Sequence, residues 1–222
     1  MPSQFEMASA DPFASSWRSE EIGIVASTTE SSSLYLFDRL LGLAAFAATI
    51  PIIGIAAIGI TVLSRRNPFL RHRRAGRFGA PLNVIKLRTM WGVYDERELD
   101  DYASPKTPND PRVTSRFARF CRRYSIDELP QLLQVARGEM SLVGPRALTE
   151  RELGMHYRSV RREVLRLRPG LSGLWQVKGR NRLTYSQRRR LDVFLARHYS
   201  AGLYFRILIA TGGAVLSGRD AW

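Results

Sequence analysis

The sequence predicts an α-rich mixed α/β protein, with one N-terminal apolar segment in a membrane followed by one compact globular domain. A chain of 222 residues with 45% apolar and 24% charged side chains is long enough to bury a single core. Charge divides this chain into three parts. Residues 1–39 carry two basic and six acidic groups, residues 40–63 carry none, and residues 64–222 have a net charge of +18. The basic part is therefore the globular part.

The first part, residues 1–39, is rich in serine and in acidic side chains and shows little apolar periodicity. A segment of this composition cannot bury enough apolar surface to offset the entropy lost on ordering. We predict that residues 1–39 form a disordered acidic tail that takes no part in the chemistry.

The second part, residues 40–63, is the predicted membrane segment. Its 24 uncharged residues would form a helix about 36 Å long, and a bilayer core is about 30 Å thick. Pro51 lies near the middle, where its missing N–H favours a break or a kink. The sequence is compatible with two topologies, a re-entrant hairpin bent at Pro51 and a kinked helix that spans the membrane. Basic residues crowd the C-terminal flank and place the globular domain in the cytoplasm under both topologies: Arg65, Arg66, Arg71, Arg73, Arg74 and Arg77.

The third part, residues 64–222, predicts short helices joined by structured loops, with few strands. Ser115 can cap a helix over 115–124, and Thr149 with Glu152 forms a predicted capping box for a helix that runs toward Arg166. Periodicity favours two further helices, over 186–199 and over 203–216. Residues 84–90 alternate as a strand does, and residues 95–111 form a polar connection with three prolines. The single cysteine excludes an internal disulfide and a metal site built from cysteines.

Two adjacent carboxylates, Asp127 and Glu128, are the candidate catalytic groups. Pro130 is compatible with a helix only in its first turn, so we expect both acids at a helix N-terminus, where the helix dipole favours their ionised forms. An ionised aspartate among arginines can attack phosphorus or hold a divalent cation. The structural alternative is a capping box formed by Ser125 and Glu128.

Four sequence features, taken in their order along the chain, make the catalytic interpretation of Asp127 and Glu128 more specific. They are the apolar segment with its basic flank, KLRTM over 86–90, SIDELPQLLQVARGEMSLVGPR over 125–146 and RPGLSGLWQVKGRN over 168–181. With this order, the chain from about residue 37 to the C-terminus resembles the bacterial sugar transferases, which are small monotopic phosphoglycosyl transferases. Within them, the likeness is greatest to the exopolysaccharide galactosyl-phosphate transferases.

The resemblance implies a fold, a location and a reaction. The protein would be monotopic in the bacterial inner membrane, with a re-entrant helix bent at Pro51 and a catalytic domain facing the cytoplasm. It would transfer a sugar-1-phosphate from a nucleotide diphosphate sugar, such as a UDP-hexose, to polyprenyl (undecaprenyl) phosphate. This step initiates the synthesis of exopolysaccharide or another surface glycan. Asp127 would form a phosphosugar aspartyl intermediate with Glu128 as its partner, and Mg²⁺ would sit on Asp127 and the donor diphosphate.

The resemblance also implies a set of substrate-binding residues. The positions that match the family motifs are Lys86, Arg88, Arg146, Arg168, Gln176, Arg180, Asn181 and Asp192. One departure concerns the turn at Arg146, because Ala147 stands where the family usually has a second proline. Losing that proline is expected to loosen the turn that directs Arg146.

Composition alone leaves two non-enzymatic alternatives. A domain of net charge +18 could be a nucleic-acid binder tethered to the membrane, but no recognition motif or array of stacking aromatics supports nucleic acid as a partner. It could also be a non-catalytic adaptor whose arginines bind anionic lipid headgroups. The sequence does not identify the sugar, and it leaves the oligomeric state open, a homodimer included.

Overall fold

A computed structural model of the chain describes residues 32–91, 112–179 and 182–217. Eight α-helices run through these residues: α1 (Ser32–Ser64), α2 (Arg116–Arg123), α3 (Gln131–Arg137), α4 (Glu150–His156), α5 (Arg161–Val164), α6 (Leu174–Lys178), α7 (Tyr185–Arg197) and α8 (Ala201–Ser217). Four short strands accompany them: β1 (Phe69–Ala75), β2 (Pro81–Leu87), β3 (Ser141–Val143) and β4 (Gly170–Ser172). The predicted helix-rich mixed α/β class is confirmed.

The strands form two separate two-stranded sheets. β1 and β2 pair in antiparallel register from Phe69 opposite Leu87 to Ala75 opposite Pro81. β3 and β4 are parallel, with Ser141 opposite Gly170 and Val143 opposite Ser172. The second sheet requires glycine, because a Cβ on Gly170 would lie 2.1 Å from the backbone nitrogen of Gly144. This close approach brings the chain around residue 144 next to the start of β4.

Helix α1 is the one long apolar helix in the described part of the chain, and it is long enough to cross a membrane. It remains helical through Pro51. Near that proline, the hydroxyl of Thr49 donates to the carbonyl of Ala45 at 2.8 Å and lies 3.1 Å from the carbonyl of Phe46. Its face away from the domain exposes large apolar side chains, among them Leu36, Leu40, Leu43, Ile50, Ile55, Ile58 and Val62.

The opposite face of α1 packs on the globular domain along both halves of the helix. In the first half, the carboxylate of Asp38 is buried and accepts hydrogen bonds from Ser141 Oγ at 2.6 Å, Leu142 N at 3.0 Å and the hydroxyl of Tyr204. In the second half, buried apolar side chains join a cluster with β2 and α2: Ile53, Ala56, Ile60, Leu87 and Cys121. The helix is therefore part of the fold rather than an appendage.

Three predicted boundaries differ in the structure. Residues 32–39, predicted as part of a disordered tail, belong to α1, and burial of Leu34 and Asp38 explains why they are ordered. Residues 1–31 lie outside the described part. The helix predicted from Thr149 toward Arg166 has the expected capping box at Thr149 but is divided into α4 and α5. The strand predicted over 84–90 is β2, which begins at Pro81 and ends at Leu87.

Other elements follow the prediction more closely. Ser115 caps α2, accepting hydrogen bonds from the backbone N–H groups of Phe117 and Ala118. The helices predicted over 186–199 and 203–216 are α7 and α8. The connection predicted over 95–111 lies outside the described residues. These elements bring the segment after α2, β3, β4, α6 and α8 around one cavity.

Candidate active site

Asp127 and Glu128 lie in a 3₁₀ turn, Ile126–Glu128, between α2 and α3. The prediction that they open a longer helix is wrong, because Pro130 occupies the N-cap of α3 and that helix begins at Gln131. The acids are held one turn earlier, where the N–H of Glu128 donates to the carbonyl of Ser125 at 3.0 Å. Ser125 is left-handed, with φ of 56°, and its side chain makes no capping hydrogen bond, so the capping-box alternative is not supported.

The two acids have different surroundings. Asp127 is buried, with 8% of its surface exposed, whereas the side chain of Glu128 is 30% exposed. Glu128 Oε1 accepts from Lys86 Nζ at 2.6 Å, which is the short distance expected of a charge-assisted hydrogen bond. Lys86 projects from β2, which packs against the 3₁₀ turn. The structure therefore brings three of the predicted site residues together.

A cavity of about 200 Å³ opens beside the acids. We call it the dyad cavity. Its lining combines carboxylates and other polar groups with apolar side chains: Arg122, Tyr124, Ser125, Asp127, Glu128, Leu129, Leu142, Leu171, Ser172, Trp175, Gln176, Val177, Leu208, Thr211, Ala214 and Val215. The cavity therefore joins the 3₁₀ turn to β4, α6 and α8.

Gln176 is a predicted substrate-binding residue that the structure places in this lining. Its amide nitrogen donates to the carbonyl of Leu171 at 2.8 Å, which fixes the orientation of the side chain. Its Oε1 and the indole Nε1 of Trp175 are buried without a hydrogen-bond partner in the described part of the chain. Because unsatisfied buried polar atoms are costly, both atoms are candidates for hydrogen bonds to a polar ligand in the cavity.

Arg146 lies behind Trp175. Its guanidinium carbon is 4.9 Å from the centre of the indole ring, and that of Arg188 is 5.2 Å from the same ring. Arg146 Nε is also 3.8 Å from Glu152 Oε1. Two guanidinium groups on one indole make this wall of the cavity electropositive. Arg188 was not among the predicted site residues, and its one signal in the sequence was the run of three arginines at the start of α7.

Asp192 lies outside the lining of the dyad cavity, in the layer that supports Arg146. It is fully buried, accepts from the hydroxyl of Tyr157 at 2.8 Å and receives the backbone N–H of Arg146 at 3.4 Å. Burial raises the pKa of Asp192 to about 7, although the hydrogen bonds from Tyr157 and Arg146 act in the opposite direction. Asp192 therefore anchors the backbone that carries Arg146.

Two predicted binding arginines lie away from the dyad cavity. Arg88 donates through Nε to the carbonyl of Asn67 at 2.9 Å. Arg168 is 3% exposed, and its guanidinium carbon is 4.0 Å from the centre of the Tyr35 ring. It lines a second cavity of about 760 Å³ that shares no lining residue with the dyad cavity. The two remaining predictions, Arg180 and Asn181, lie outside the described residues.

The donor set of the site fits Mg²⁺. Within the residues that the structure describes, no group of three or more His, Cys, Asp or Glu side chains forms a cage for a metal ion. Mg²⁺ at phosphoryl-transfer sites is usually held by one or two carboxylates together with substrate phosphates and water. Asp127, with Glu128 beside it on the same cavity, provides such a set.

Comparisons with known proteins point to one family. A family model described as bacterial sugar transferase matches residues 30–218. The exopolysaccharide production protein ExoY of Sinorhizobium fredii is 36% identical over 199 residues, which cover 84% of this chain and 86% of that protein.

Two longer relatives are matched over part of their length. The UDP-galactose-lipid carrier transferase of Erwinia amylovora is 39% identical over 168 residues, 70% of this chain and 34% of that protein. The undecaprenyl-phosphate galactose phosphotransferase of Salmonella typhimurium is 37% identical over 164 residues, 68% of this chain and 34% of that protein.

Proposed function

Because the chain belongs to the bacterial sugar transferase family, we propose that it moves a sugar-1-phosphate from a UDP-hexose to undecaprenyl phosphate through an aspartyl intermediate on Asp127. The enzyme class, a phosphoglycosyl transferase, is confirmed by the family match and by the named activities of the relatives. One observation carries the finer proposal. Asp127 is buried on the dyad cavity beside Glu128, and polar groups suited to a nucleotide sugar line the same cavity.

The reaction would proceed in two displacements at one phosphorus atom. In the first, a carboxylate oxygen of Asp127 attacks the phosphorus that carries the sugar, and the bond to the bridging oxygen breaks. Nucleoside monophosphate leaves with the electron pair, and an acyl phosphate joins the sugar to Asp127. In the second, a phosphate oxygen of undecaprenyl phosphate attacks the same phosphorus, and Asp127 leaves as a carboxylate. The lipid then carries a diphosphate sugar.

Glu128 and Lys86 would prepare the site for this chemistry. Their 2.6 Å ion pair neutralises the carboxylate next to Asp127, so a second full negative charge does not oppose an anionic donor. Mg²⁺ held by Asp127, with Glu128 beside it, would neutralise phosphate charge in the donor. Gln176 and the electropositive wall formed by Arg146 and Arg188 on Trp175 are proposed to bind the donor.

We also propose that the protein is monotopic in the bacterial inner membrane, with its catalytic domain in the cytoplasm and with α1 re-entrant at Pro51. Contact of the domain with both halves of α1 supports this arrangement, because neither half is left to cross the bilayer alone. Exposed arginines just after α1, including Arg65, Arg66, Arg71 and Arg73, are suited to anionic lipid headgroups.

Substitution of Asp127 tests the aspartyl mechanism. We expect Asp127→Asn to abolish release of nucleoside monophosphate from a panel of UDP-hexoses, because an amide is a poor nucleophile, while binding to membranes is retained. UDP-galactose is the first donor to test, since it is named for the Erwinia relative. Glu150→Gln is the matched control, because Glu150 is exposed and pairs with Arg161 outside the cavity. Its turnover should equal that of the wild type.

A trapping experiment tests the covalent step directly. The wild type is incubated with donor labelled in the sugar-linked phosphate, and the lipid acceptor is omitted. Label should remain on the peptide that contains Asp127 and should be absent from Asp127→Asn. Normal turnover by Asp127→Asn, or an active wild type that never carries label, would overturn the aspartyl mechanism.

A further inference from the structure

Four residues of α8 line one part of the dyad cavity, which we call the α8 wall. Leu208, Thr211, Ala214 and Val215 all lie on this wall. The hydroxyl of Thr211 is already occupied, because it donates to the carbonyl of Ile207 at 2.7 Å and lies 2.6 Å from Ser172 Oγ. The α8 wall therefore offers mainly hydrocarbon surface to a ligand.

The two proposed substrates differ in their need for such a surface. The diphosphate and the sugar of the donor are polar, so an apolar wall beside them would desolvate their oxygens without replacing their hydrogen bonds. A polyprenyl phosphate joins an anionic group directly to a hydrocarbon chain. Its phosphate must reach the sugar-linked phosphorus held at Asp127. The first part of its chain must therefore lie within a few bonds of the carboxylates, where the α8 wall stands.

The outer face of α8 provides a continuation of this path. Arg206 is the one charged side chain in α8, while Phe205 is 39% exposed and Ile209 is 77% exposed. A cavity of about 200 Å³ is too small for a long polyprenyl chain. It can hold only the units nearest the phosphate, and the rest of the chain would lie along apolar surface outside it.

We propose that the α8 wall binds the first isoprene units of the lipid acceptor and so distinguishes the acceptor from the donor within one cavity. This inference rests on the proposed function and extends it by assigning one wall to one substrate. Ala214 is the most informative position, because its small side chain lines the cavity and a larger one would fill it.

The test compares two identical changes on one helix. Ala214→Trp fills the cavity, whereas Ala210→Trp lies one turn earlier at an exposed position. Initial rates are measured with UDP-galactose and with undecaprenyl phosphate varied as a mole fraction of detergent micelles. For Ala214→Trp we expect the KM for the lipid to rise about tenfold or more, with the KM for the donor unchanged. Ala210→Trp changes the outer face of α8 and not the cavity lining, so it should leave the KM for the donor unchanged and alter the KM for the lipid less than Ala214→Trp does.

A short acceptor identifies which part of the lipid is bound. Geranyl phosphate keeps only the first two isoprene units, so Ala214→Trp should raise its KM by the same factor as for undecaprenyl phosphate. If Ala214→Trp fails to fold, Ala214→Leu makes a smaller change at the same place and should give a smaller increase in the same constant.

Several outcomes would overturn the inference. They are an unchanged lipid KM in a folded Ala214 variant, an increase in the donor KM instead, or a penalty that disappears with geranyl phosphate. If the wild type transfers no sugar phosphate from any UDP-hexose, the proposed function itself has failed. That result is distinguishable, because the inference fails alone only when the wild type is active.

Discussion

Single side chains around Asp127 are arranged in layers that extend outward from the cavity. Glu128 touches the cavity and is paired with Lys86. Arg146 stacks on Trp175 at the cavity wall, and Asp192 receives the backbone N–H of Arg146 from behind. A small displacement of such a support can greatly slow a reaction that depends on alignment. We therefore expect Asp192 to act as a positioning residue, so that its protonation state affects the site.

We expect protonation of Asp192 to make stability depend on pH. Burial raises its pKa from 3.8 to about 7, so the folded protein binds this proton more tightly than the unfolded chain does. The resulting stabilisation is complete below about pH 4 and is lost as the pH rises through about 7. Asp192→Asn cannot titrate, and its amide oxygen can still accept from Tyr157. The Tm of the wild type should therefore fall relative to that of Asp192→Asn by about 5 °C between about pH 5 and pH 8.

Thermal unfolding in detergent micelles at a series of pH values measures this difference. Tyr157→Phe is the companion variant, because it removes a hydrogen bond that lowers the pKa of Asp192. The decline in its stability should be displaced to higher pH. Parallel Tm curves for the wild type and Asp192→Asn across the whole range would show that Asp192 does not titrate in this way.

Local elements were largely predictable from sequence, because their signals lie within a few residues of one another. Ser115 before an apolar stripe predicted α2, and Thr149 with Glu152 predicted the capping box of α4. The dyad was misplaced for a local reason as well. Pro130 is compatible with the first turn of a helix, and the sequence could not decide whether that turn began before or after the acids.

Contacts between distant elements were not predictable in the same way. Lys86 and Glu128 are 42 residues apart, and Asp38 and Tyr204 are 166 residues apart, so no local pattern links them. Asp38 illustrates the consequence. From sequence it was one acid of a tail, but burial against β3 and α8 makes it part of the core. The apolar lining of the dyad cavity likewise depends on α8 reaching a turn about 80 residues earlier in the chain.

Helix α1 packs so closely on α3 that one of its glycines has no room for a methyl group. A Cβ on Gly42 would lie 2.8 Å from Val135 Cγ1 and 3.1 Å from the backbone nitrogen of Ala136, whereas one on Gly54 would meet nothing within 4 Å. We expect Gly42→Ala to destabilise the protein by about 1–2 kcal/mol, because the overpacking cost exceeds the gain in helix propensity of about 1 kcal/mol. Gly54→Ala should be neutral or stabilising.

Thermal unfolding in the same micelles compares the two variants. They make the same chemical change in the same helix, so a difference in Tm reports the contact with α3 rather than the propensity of alanine. Gly42→Ala should have the lower Tm by several degrees. Equal Tm values would mean that α1 does not pack against α3 as closely as this at Gly42 in the detergent-solubilised protein.

The described part of the molecule is organised around one apolar helix, which packs on the domain with one face and exposes apolar side chains on the other. α1 is 33 residues long, so a straight helix of this length would extend about 50 Å. The elements that cover its two halves carry exposed arginines, Arg137 at the end of α3 and Arg116, Arg119 and Arg123 on α2. Charged side chains are costly at the centre of a bilayer, so α2 and α3 are expected to lie on one side of the hydrocarbon.

Cysteine labelling decides the topology that this arrangement implies. Ser33→Cys and Arg66→Cys place exposed thiols at the two ends of α1. The native Cys121 should not react with the label, because it is 1% exposed and burial raises the pKa of its thiol to about 11. With a membrane-impermeant maleimide, both introduced thiols should react in inside-out vesicles and neither in intact spheroplasts, and both should react in spheroplasts after detergent is added. Reaction of the two thiols from opposite sides would establish a spanning helix. That result would contradict the proposal that α1 is re-entrant at Pro51.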